Sequence, residues 1–383
     1  MTSCYFIRPL DIVSARGNRS FGASGEYGEV SMPPWPSLFA GALRSAMLGR
    51  DSKALSEFVR DNSQPAGPLG EVLGTPERPG SFRLEWASLG RMLNDGSGEA
   101  IVPLPADLVA SSSGLSCLTP TAASGGVNVS FPLPMIPVLR TAQQTKPEPG
   151  RYLAGSMLDD YVAGKKTLRS NSLETRDLYK RETRVGIALD NGTRTVEEGA
   201  LYGTEAISFY RDYGFVVQFS TGDIDPSTLL PVGSLLRLGG DGKAATCEAP
   251  ISLRLLPEPP LAKIAQDRQF RLVLSTPGIF RRGWLPDSVQ DMRLVGDGFE
   301  AKLVCAAVSR TTTISGWDLA KQKPKPAQRI APAGSVYWFN DFQGDPGKLA
   351  AWVAEGLWDD KPDELRRAEG FNRAMVAAWP KED

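Results

Sequence analysis

The chain has 383 residues, of which 41% are hydrophobic and 23% charged, a length that fits two ordinary domains and a composition that does not favour disorder. Its formal net charge of −1 and isoelectric point of about 5.9 exclude a uniformly basic nucleic-acid-binding domain, although they allow a local basic surface. The chain has no histidine, which removes the commonest general base near neutral pH, every Ser-His or Cys-His nucleophile pair and every histidine metal ligand.

The cysteines share apolar or small-residue surroundings, and none lies in a Cys-x-x-Cys pair: Cys4, Cys117, Cys247 and Cys305. This pattern predicts reduced, mostly buried thiols rather than a disulfide framework or a zinc site. No apolar run approaches the length of a membrane span, and the N-terminus lacks a basic and apolar export signal. We therefore expect a cytoplasmic protein with no membrane partner, no metal and no cofactor.

The first predicted elements are a strand and a helix. Strand-forming residues over Cys4–Val13 predict a partly buried strand, and a loop that contains Arg16 and Arg19 follows it. Apolar residues then recur at helical spacing over Ser37–Leu48, which predicts an amphipathic helix with Ser37 as its N-cap.

A hairpin is the clearest element in the middle of the chain. Residues 62–80 and 103–150 have loop-like composition, and Phe82–Trp86 between them predicts a short strand. The segment Arg181–Tyr202 places Asn191-Gly192 between two strand-forming runs, which is the strongest short-range signal for a β-hairpin. The high usage of glycine (39) and proline (30) agrees with a mixed or β-rich protein that has many turns.

The next segments predict further strands, a short helix and a linker. Ile207–Phe219 predicts a strand, and Asp225–Leu230 a short helix that begins at Asp225-Pro226. Gly239–Lys243 is a glycine-rich loop, and Leu256–Pro260 has the proline content of a linker. Beyond it lie three predicted strands, a helical stripe, and a last apolar stretch that fits either helix or strand: 270–280, 301–309, 335–339, 349–357 and 371–379.

This order of elements predicts an α+β protein. It is roughly that of two βαββαβ units, each a small antiparallel sheet with helices on one face. The first unit would carry the long inserted hairpin. The boundaries that follow are an N-terminal domain at 1–255, a linker at 256–268 and a C-terminal domain at 269–383.

The glycine-rich loop does not have the spacing of a nucleotide-binding loop. It lacks the P-loop ending in Lys-Ser or Lys-Thr, and it lacks the GxGxxG pattern after an early strand. A tight turn between a helix and a strand is the simplest interpretation. Because glycine leaves backbone amides uncovered, close approach of an RNA phosphate at Gly240, Gly242 and Lys243 also fits.

Several predicted loops carry basic residues beside aromatic ones. The segment 165–194 alone has eight basic residues against four acidic ones. Positive charge for phosphates and flat rings for bases are what proteins use to follow an RNA backbone, whereas the simplest alternative is a solvated charged face. The candidate RNA-binding residues of these loops are Arg16, Arg19, Lys180, Arg181, Arg184, Arg194, Arg281, Arg282, Lys321, Lys323 and Lys325.

Two acidic pairs are candidates for catalytic groups or metal ligands. They are Asp159-Asp160 and Glu197-Glu198. Neighbouring residues point to opposite sides of a strand, so one member of each pair would face away from a common site. We therefore predict no catalytic residue.

Three longer segments resemble a known family: PWPSLFAGALRSA, RETRVGIALDNGTRTVEEGALY and ISGWDLAKQKPKPAQRIAPAGSVYWF. Together they resemble subunit three of the type III-B (Cmr) CRISPR effector complex, a member of the Cas-five-like group of the RAMP superfamily. The resemblance covers both halves of the chain in the expected order. One departure is the segment GFNRAMVAAW, which keeps only Gly370 where RAMP proteins often have a loop with several glycines.

The resemblance implies a fold and a function. The fold is a pair of ferredoxin-like (RRM-like) RAMP domains, the first with a thumb hairpin inserted at about 150–206. Proteins of this kind cap the 5′ end of the CRISPR RNA and hold its repeat-derived tag. They contact the large cyclase-like subunit and the backbone RAMP subunit, meet the target RNA indirectly, and are not nucleases. The implied role is antiviral defence against foreign RNA.

The resemblance also implies positions for some of the basic residues. Arg181, Arg184 and Arg194 would lie around the thumb, near the tag and the first backbone subunit. Ser37 and Arg44 would lie on the first helix and its approach to RNA. The lysines at 321, 323 and 325 fall in a family-like loop whose partner is open.

Two other functions stay open from the sequence. One is a CRISPR RNA-processing endonuclease of the Cas-six type, which commonly uses histidine. The other is a protein-only scaffold whose basic loops meet acidic surfaces of neighbouring subunits. RNA ends, crosslinks to this chain and cleavage of precursor RNA discriminate among the three.

Overall fold

A computed structural model of the protein describes residues 1–15, 27–28, 30–111, 114–122, 132–140, 148–165, 168, 172–190, 192–318 and 321–380. The predicted RNA contacts Arg16 and Arg19 lie outside these ranges.

The helices of the described residues are mostly short: α1 (Pro36–Leu48), α2 (Ser52–Arg60), α3 (Gly67–Leu73), α4 (Ser156–Val162), α5 (Thr175–Leu178), α6 (Pro226–Leu229), α7 (Leu261–Asp267), α8 (Pro346–Glu355) and α9 (Glu364–Ala368). A 3-10 turn lies at Gly240–Gly242.

The strands of the first part of the chain are β1 (Thr2–Pro9), β2 (Tyr27–Gly28), β3 (Phe82–Met92), β4 (Gly98–Pro103), β5 (Leu108–Ser111), β6 (Gly114–Cys117), β7 (Thr119–Ala122), β8 (Met135–Val138), β9 (Arg151–Ala154), β10 (Leu173–Glu174), β11 (Tyr179–Leu189), β12 (Val196–Phe209) and β13 (Tyr213–Thr221). Those of the second part are β14 (Leu235–Arg237), β15 (Ala244–Glu248), β16 (Leu253–Arg254), β17 (Phe270–Leu274), β18 (Val289–Gln290), β19 (Arg293–Gly296), β20 (Phe299–Ala307), β21 (Thr312–Ile314), β22 (Trp317–Asp318), β23 (Lys323–Pro324), β24 (Gln328–Ile330), β25 (Val336–Gly344) and β26 (Ala374–Ala377). Helices thus combine with several antiparallel sheets, which confirms the mixed class predicted from the sequence.

Two compact units form from alternating segments of the chain. Unit 1 consists of residues 1–98, 175–252 and 314–327, and unit 2 of residues 99–174, 253–313 and 328–383. The sequence predicts two contiguous domains instead, and their boundaries stay a prediction. Within the predicted linker 256–268 the structure has helix α7, which buries Ile264.

The sheet of unit 1 has the strand order β14-β15-β1-β13-β3, with antiparallel neighbours. In the chain, α1 lies between β1 and β3, and α6 lies between β13 and β15. Helix α1 packs its apolar stripe against the sheet, where the ring of Phe39 lies edge-on to Phe215 at 5.0 Å between centroids. Phe6, Ile7 and Phe215 are fully buried. Ile7 pairs with Phe215 and shares its face of the sheet beneath the helix, whereas Phe6 is buried on the opposite face.

The predicted hairpin is confirmed and is longer than the sequence indicates. Strands β11 and β12 pair from Tyr179↔Phe209 to Leu189↔Val196, with an irregularity before the turn. The single strand predicted over Ile207–Phe219 is wrong. A turn at 210–212 ends β12 and begins β13, so the hairpin continues directly into the sheet of unit 1.

Unit 2 is built on a second antiparallel sheet with the order β18-β19-β20-β25-β17-β26. Helix α8 precedes β26 in the chain and buries Leu349 and Val353 in the core of this unit. The predicted strands at 270–280, 301–309 and 335–339 are present as β17, β20 and β25, and the ambiguous last stretch is a strand, β26. Between β17 and β20 the described residues form loops and the short strands β18 and β19 instead of a helix.

A buried polar cluster lies in unit 2. Arg271 on β17 is fully buried and donates hydrogen bonds to the Asp107 carboxylate, and at 2.8 Å each to the carbonyls of Tyr161 and Ala378. The hydroxyl of Tyr161 donates to the same carboxylate at 2.8 Å. The Arg271 guanidinium also lies over the Tyr161 ring, 4.4 Å from its centroid. One arginine therefore joins three separate segments of the chain.

Two further predictions are wrong in their details. Ser37 is not the N-cap of α1, because Trp35 holds that position and Pro36 begins the helix. Residues 62–80 are not all loop, since they contain α3. Glycine has a low helix propensity, so the glycine inside α3 argues against a helix when only the sequence is considered. A Cβ at Gly70 would lie 1.8 Å from the Pro65 carbonyl oxygen, so close packing requires glycine there.

The cysteines are free thiols, and two of them are buried: Cys247 and Cys305. Burial raises the pKa of each of these two thiols to about 12. The thiolate is the reactive form, so at pH 8 only about one molecule in ten thousand carries it at either position.

We expect native alkylation with iodoacetamide at pH 8 to leave Cys247 and Cys305 unmodified. Because both are buried as well as protonated, they should react only after unfolding in urea. Mass spectrometry of tryptic peptides measures this, with the half-buried Cys4 and Cys117 as internal comparison. Complete labelling of Cys247 or Cys305 in the native protein would contradict their placement in the core.

Candidate nucleic-acid interface

The point where the hairpin leaves the sheet of unit 1 is called the hairpin root, and it comprises residues 8–14, 178–184, 205–213 and 239–243. Backbone hydrogen bonds hold these segments together. Val13 and Ile207 exchange hydrogen bonds of 2.8 and 2.9 Å, and the amide of Gly240 donates to the Ser14 carbonyl at 2.7 Å. The end of β1, the base of the hairpin and the glycine-rich turn therefore form one surface.

Three predicted RNA-binding residues converge at the hairpin root: Lys180, Arg184 and Lys243. The Lys243 ammonium lies 2.7 Å from the Asp11 carboxylate. Its hydrogen bond, followed by one from the backbone of Ile12, lowers the pKa of Asp11, and the positive charge of Arg184 adds to the effect. The Lys180 ammonium lies over the Tyr210 ring, 5.7 Å from its centroid. Positive charge thus gathers from two distant parts of the sequence, strand β11 and the glycine-rich turn.

Arg181 has a more structural position than the sequence predicts. Its guanidinium lies 2.8 Å from the carboxylate of Glu205, which is only 11% exposed. The same carboxylate accepts a 3.0 Å hydrogen bond from the amide of Val30. Together with the pairing of β2 beside β12, this contact ties the chain after the first loop to the hairpin.

The glycine-rich loop is a 3-10 turn that is packed against β1. Gly239 has a φ of +84°, and a Cβ there would lie 2.5 Å from the Ser14 carbonyl oxygen. Because the Gly240 amide already donates to that carbonyl, it is not open to a phosphate in this conformation. Gly242, with a φ of +64°, has nothing within 4 Å of a Cβ position, and Lys243 follows it with its side chain at Asp11.

Three other predicted residues lie elsewhere in unit 1. Arg194 is exposed in the turn of the hairpin, with a φ of +56°, at the end opposite the hairpin root. Arg44 is half-buried on α1 and donates to the carbonyl of Leu73, the last residue of α3. This contact gives Arg44 a role at a helix C-terminus, where positive charge is favourable. Ser37, at the start of α1, is half-buried.

The predicted lysine loop forms its own small ribbon, in which β22 pairs with β23. Lys321 lies 3.1 Å from Glu77, Lys323 lies opposite Asp318, and the amide of Lys325 donates to the Gly316 carbonyl at 2.9 Å. Trp317 is 54% exposed here, although an indole alone favours the prediction of a core residue.

The remaining candidates, Arg281 and Arg282, belong to unit 2. Arg281 forms ion pairs with Asp287 and Asp359, and Arg282 donates to the carbonyl of Val289. Both residues are exposed. Their contacts within the unit are with carboxylates and backbone of their own loop and of the segment after α8.

Sequence reasoning missed two features of the hairpin and its root. The first feature is a set of exposed apolar side chains along the hairpin: Val185, Ile187, Leu189, Val196 and Leu201. Apolar residues at alternate positions of a strand are typical of a buried face, so the sequence does not indicate that these are exposed. The second feature is Tyr210, which is 40% exposed in the turn between β12 and β13. The charged pair Arg211-Asp212 directly after this tyrosine was the available signal, although the predicted strand Ile207–Phe219 runs through all three residues.

A metal site or a membrane span would require particular arrangements of the described residues. In the part of the chain that the structure describes, no group of three or more Cys, Asp or Glu side chains is placed to hold a metal ion. Within those same residues, no helix has the length and apolar character to cross a membrane.

Comparison with known proteins identifies the family. Residues 5–379 match the sequence profile of the CRISPR-associated protein family Cas_Cmr3. The chain belongs to this family, which confirms the resemblance to subunit three of the type III-B complexes. No curated protein sequence gives a significant match.

A solved structure has a similar fold. A chain in the cryo-EM structure of the type III-B Cmr-beta complex bound to cognate target RNA and AMPPnP is 15% identical, with a TM-score of 0.50. The alignment covers 97% of this chain and 96% of that one. A chain in a structure of the complex bound to cognate target RNA is 14% identical over the same shares, with a TM-score of 0.48.

Proposed function

We propose that this protein is a non-catalytic RNA-binding subunit of a type III-B CRISPR effector complex. It caps and holds the 5′ repeat-derived tag of the CRISPR RNA, bridges the large cyclase-like subunit to the backbone filament, and serves antiviral defence against foreign RNA. It meets target RNA only indirectly, and it acts in the cytoplasm. The chain belongs to a family of CRISPR-associated proteins. Within that family, the observation that supports an RNA contact is that Lys180, Arg184 and Lys243 come together at the hairpin root.

Charge and shape at the hairpin root support an RNA contact. A hairpin that leaves the sheet beside a basic surface can lie along an RNA strand, while lysine and arginine side chains neutralise its phosphates. The pairing of these cations with Asp11 and Glu182 keeps them positioned in the absence of RNA. These are exposed pairs, and such pairs are worth only about 0–1 kcal/mol, so a phosphate can compete for the cations.

We also propose that each unit contains a ferredoxin-like domain of the RAMP type. The strand order is β15-β1-β13-β3 in unit 1 and β26-β17-β25-β20 in unit 2. Numbered along the chain, the fourth of these strands in each unit pairs with the first, and the third lies between the first and the second. This arrangement is that of a βαββαβ fold and supports the assignment. The hairpin β11–β12 would then be the thumb, and the loops before β20 would replace the first helix of the second domain.

Replacing Lys180, Arg184 and Lys243 by glutamine is expected to weaken binding of CRISPR RNA by the reconstituted complex and to flatten its salt dependence. For single strands the slope of log affinity against log salt changes by about 0.7 for each phosphate that the protein no longer neutralises, so we expect a change of up to about 2. Fluorescence anisotropy of 5′-labelled RNA over a sodium chloride titration measures both quantities.

A charge-matched variant provides the control. Lys53, Arg60 and Arg78, on α2 and after α3, carry the same total charge in the same unit, and their glutamine variant should retain the slope of the unaltered complex. Equal slopes for the two triple variants would refute a phosphate contact at the hairpin root.

Purification of the complex and mapping of its RNA ends then tests the proposal as a whole. Metal-independent cleavage of precursor repeats by this chain would support the nuclease, and absence of any RNA crosslink would support the scaffold.

A further inference from the structure

A cleft opens at the hairpin root between the end of β1 and the turn that joins β12 to β13. It has a volume of about 650 Å³, and its walls are residues 8–12 on one side and 208–213 on the other. All of these residues belong to unit 1. This volume lies in the range of small-molecule and nucleotide sites, which is about 300–1,000 Å³.

Tyr210 is the aromatic side chain that the cleft presents to solvent. At 40% it is the most exposed tyrosine among the side chains that the structure describes. Its backbone is held on both sides, since its amide donates to the Leu178 carbonyl at 3.2 Å and its carbonyl accepts from the Tyr213 amide at 3.0 Å. The backbone that carries the ring therefore keeps its position without a binding partner, which lowers the conformational entropy lost when a base stacks on the ring.

The charges around the cleft determine how a nucleotide would enter. Asp11 and Asp212 line the cleft itself, and their carboxylates repel a phosphate inside it. The Lys180 ammonium lies over the Tyr210 ring, and Lys243 and Arg184 lie near Asp11. Arg8 and Arg211 also line the cleft, and Glu248 holds Arg8 in an ion pair. The two carboxylates inside and the ammonium groups at the margin favour an arrangement with the base in the cleft and the phosphates at its margin.

Arg8 also lines the cleft, and its guanidinium is already engaged in hydrogen bonds within the protein. Its guanidinium holds both carboxylate oxygens of Glu248, at 2.6 and 3.0 Å, and donates to the carbonyl of Arg211. The bidentate pair fixes the Arg8 side chain, and its hydrogen bond to the Arg211 carbonyl then holds the turn at 210–212 against β1. Arg8 is thus a positioning residue for Tyr210 and is not available as a phosphate ligand.

We propose that this cleft binds one unpaired nucleotide of single-stranded RNA, with its base stacked on Tyr210 and its phosphates beside Lys180 and Lys243. The inference rests on the proposed function and specifies one contact within it. Stacking on an aromatic ring accepts any base, and the ammonium on the other side of the ring adds a cation–π contribution. The ionised Asp11 can accept hydrogen bonds from the amino groups of bases, which uracil lacks.

The experiment compares Tyr210→Ala and Tyr210→Phe in the complete complex. Loss of the ring should weaken RNA binding roughly 5- to 150-fold, the equivalent of the roughly 1–3 kcal/mol found for base stacking. The phenylalanine variant keeps the ring and should bind as the unaltered complex does. Thermal unfolding and subunit composition of both variants establish that the complex is intact.

Crosslinking identifies the strand. Photoactivated 4-thiouridine is placed in the CRISPR RNA in one arm and in the target RNA in the other, and the crosslinked peptide is sequenced. A crosslink within 208–213 in either arm that disappears in Tyr210→Ala supports the cleft and names its strand. Full RNA affinity in Tyr210→Ala, or a crosslink unaffected by it, overturns the inference. If the inference is overturned in this way but the complex retains its RNA, the proposed RNA-binding function still stands. If the unaltered complex purifies without RNA, both the cleft and the proposed function are refuted.

Discussion

Arg271→Leu is expected to lower the free energy of unfolding of unit 2 by about 3–5 kcal/mol, the cost of breaking a buried ion pair from one side. The substitution leaves the Asp107 carboxylate in the core with the Tyr161 hydroxyl as its remaining donor in this cluster. It also leaves the carbonyls of Tyr161 and Ala378 without the guanidinium donors they have now. Since burial of an unpaired charge is costly, this variant should be among the least stable single substitutions of the chain.

A surface pair in the same unit provides the matched control. Arg293 lies 2.8 Å from Glu300, and its side chain is 54% exposed. Arg293→Leu should therefore cost less than about 1 kcal/mol. Urea unfolding, with hydrogen exchange of peptides from β17 and β26 to locate the loss in unit 2, measures both variants. Equal costs for the buried and the exposed arginine would contradict the buried cluster.

Phe215→Ala is expected to destabilise unit 1 by about 3–5 kcal/mol, because it removes a fully buried ring from a close-packed core. Phe215 lies edge-on to Phe39 of α1 and to Phe209 at the end of β12, each at 5.0 Å between centroids. The cavity would therefore open beside the hairpin root. We expect faster hydrogen exchange in β12 and weaker RNA binding in addition to the loss of stability.

The same substitution in unit 2 separates the two effects. Phe339 is fully buried and stacks on Phe270 at 4.9 Å, so Phe339→Ala removes the same atoms from the other core. It should destabilise unit 2 by a similar amount and leave hydrogen exchange in β12 unchanged. If both variants accelerate exchange in β12 equally, the aromatic cluster does not specifically support the hairpin root.

The elements that the sequence predicts well are those with local causes. Asp225 caps α6 through its side chain, as the Asp-Pro start indicates, and the Asn-Gly dipeptide marks the hairpin. Apolar spacing alone locates α1, although Pro36 rather than Ser37 begins it. Each of these signals acts within a few residues, so a single sequence contains it.

The parts that the sequence does not predict depend on distant partners. Asp11 and Lys243 are 232 residues apart, and no local pattern indicates that they pair. Glu205 pairs with Arg181 for the same kind of reason, which gives a predicted RNA ligand an additional role in supporting the hairpin. The exposed apolar face of the hairpin is missed because alternation in a strand shows only that two faces differ, and does not show which one contacts solvent.

The buried cluster has a consequence for how the chain is made. Arg271 follows Asp107 by 164 residues, and a ribosome that adds about 5–20 residues per second needs roughly 8–33 seconds to cover that distance. During that interval the segment 99–174 has been synthesised, but the arginine that neutralises its buried carboxylate has not. A shortened chain that stops at residue 255 never acquires this arginine. The buried carboxylate of unit 2 can therefore be neutralised only after synthesis has passed Arg271, in the second of the three segments of this unit.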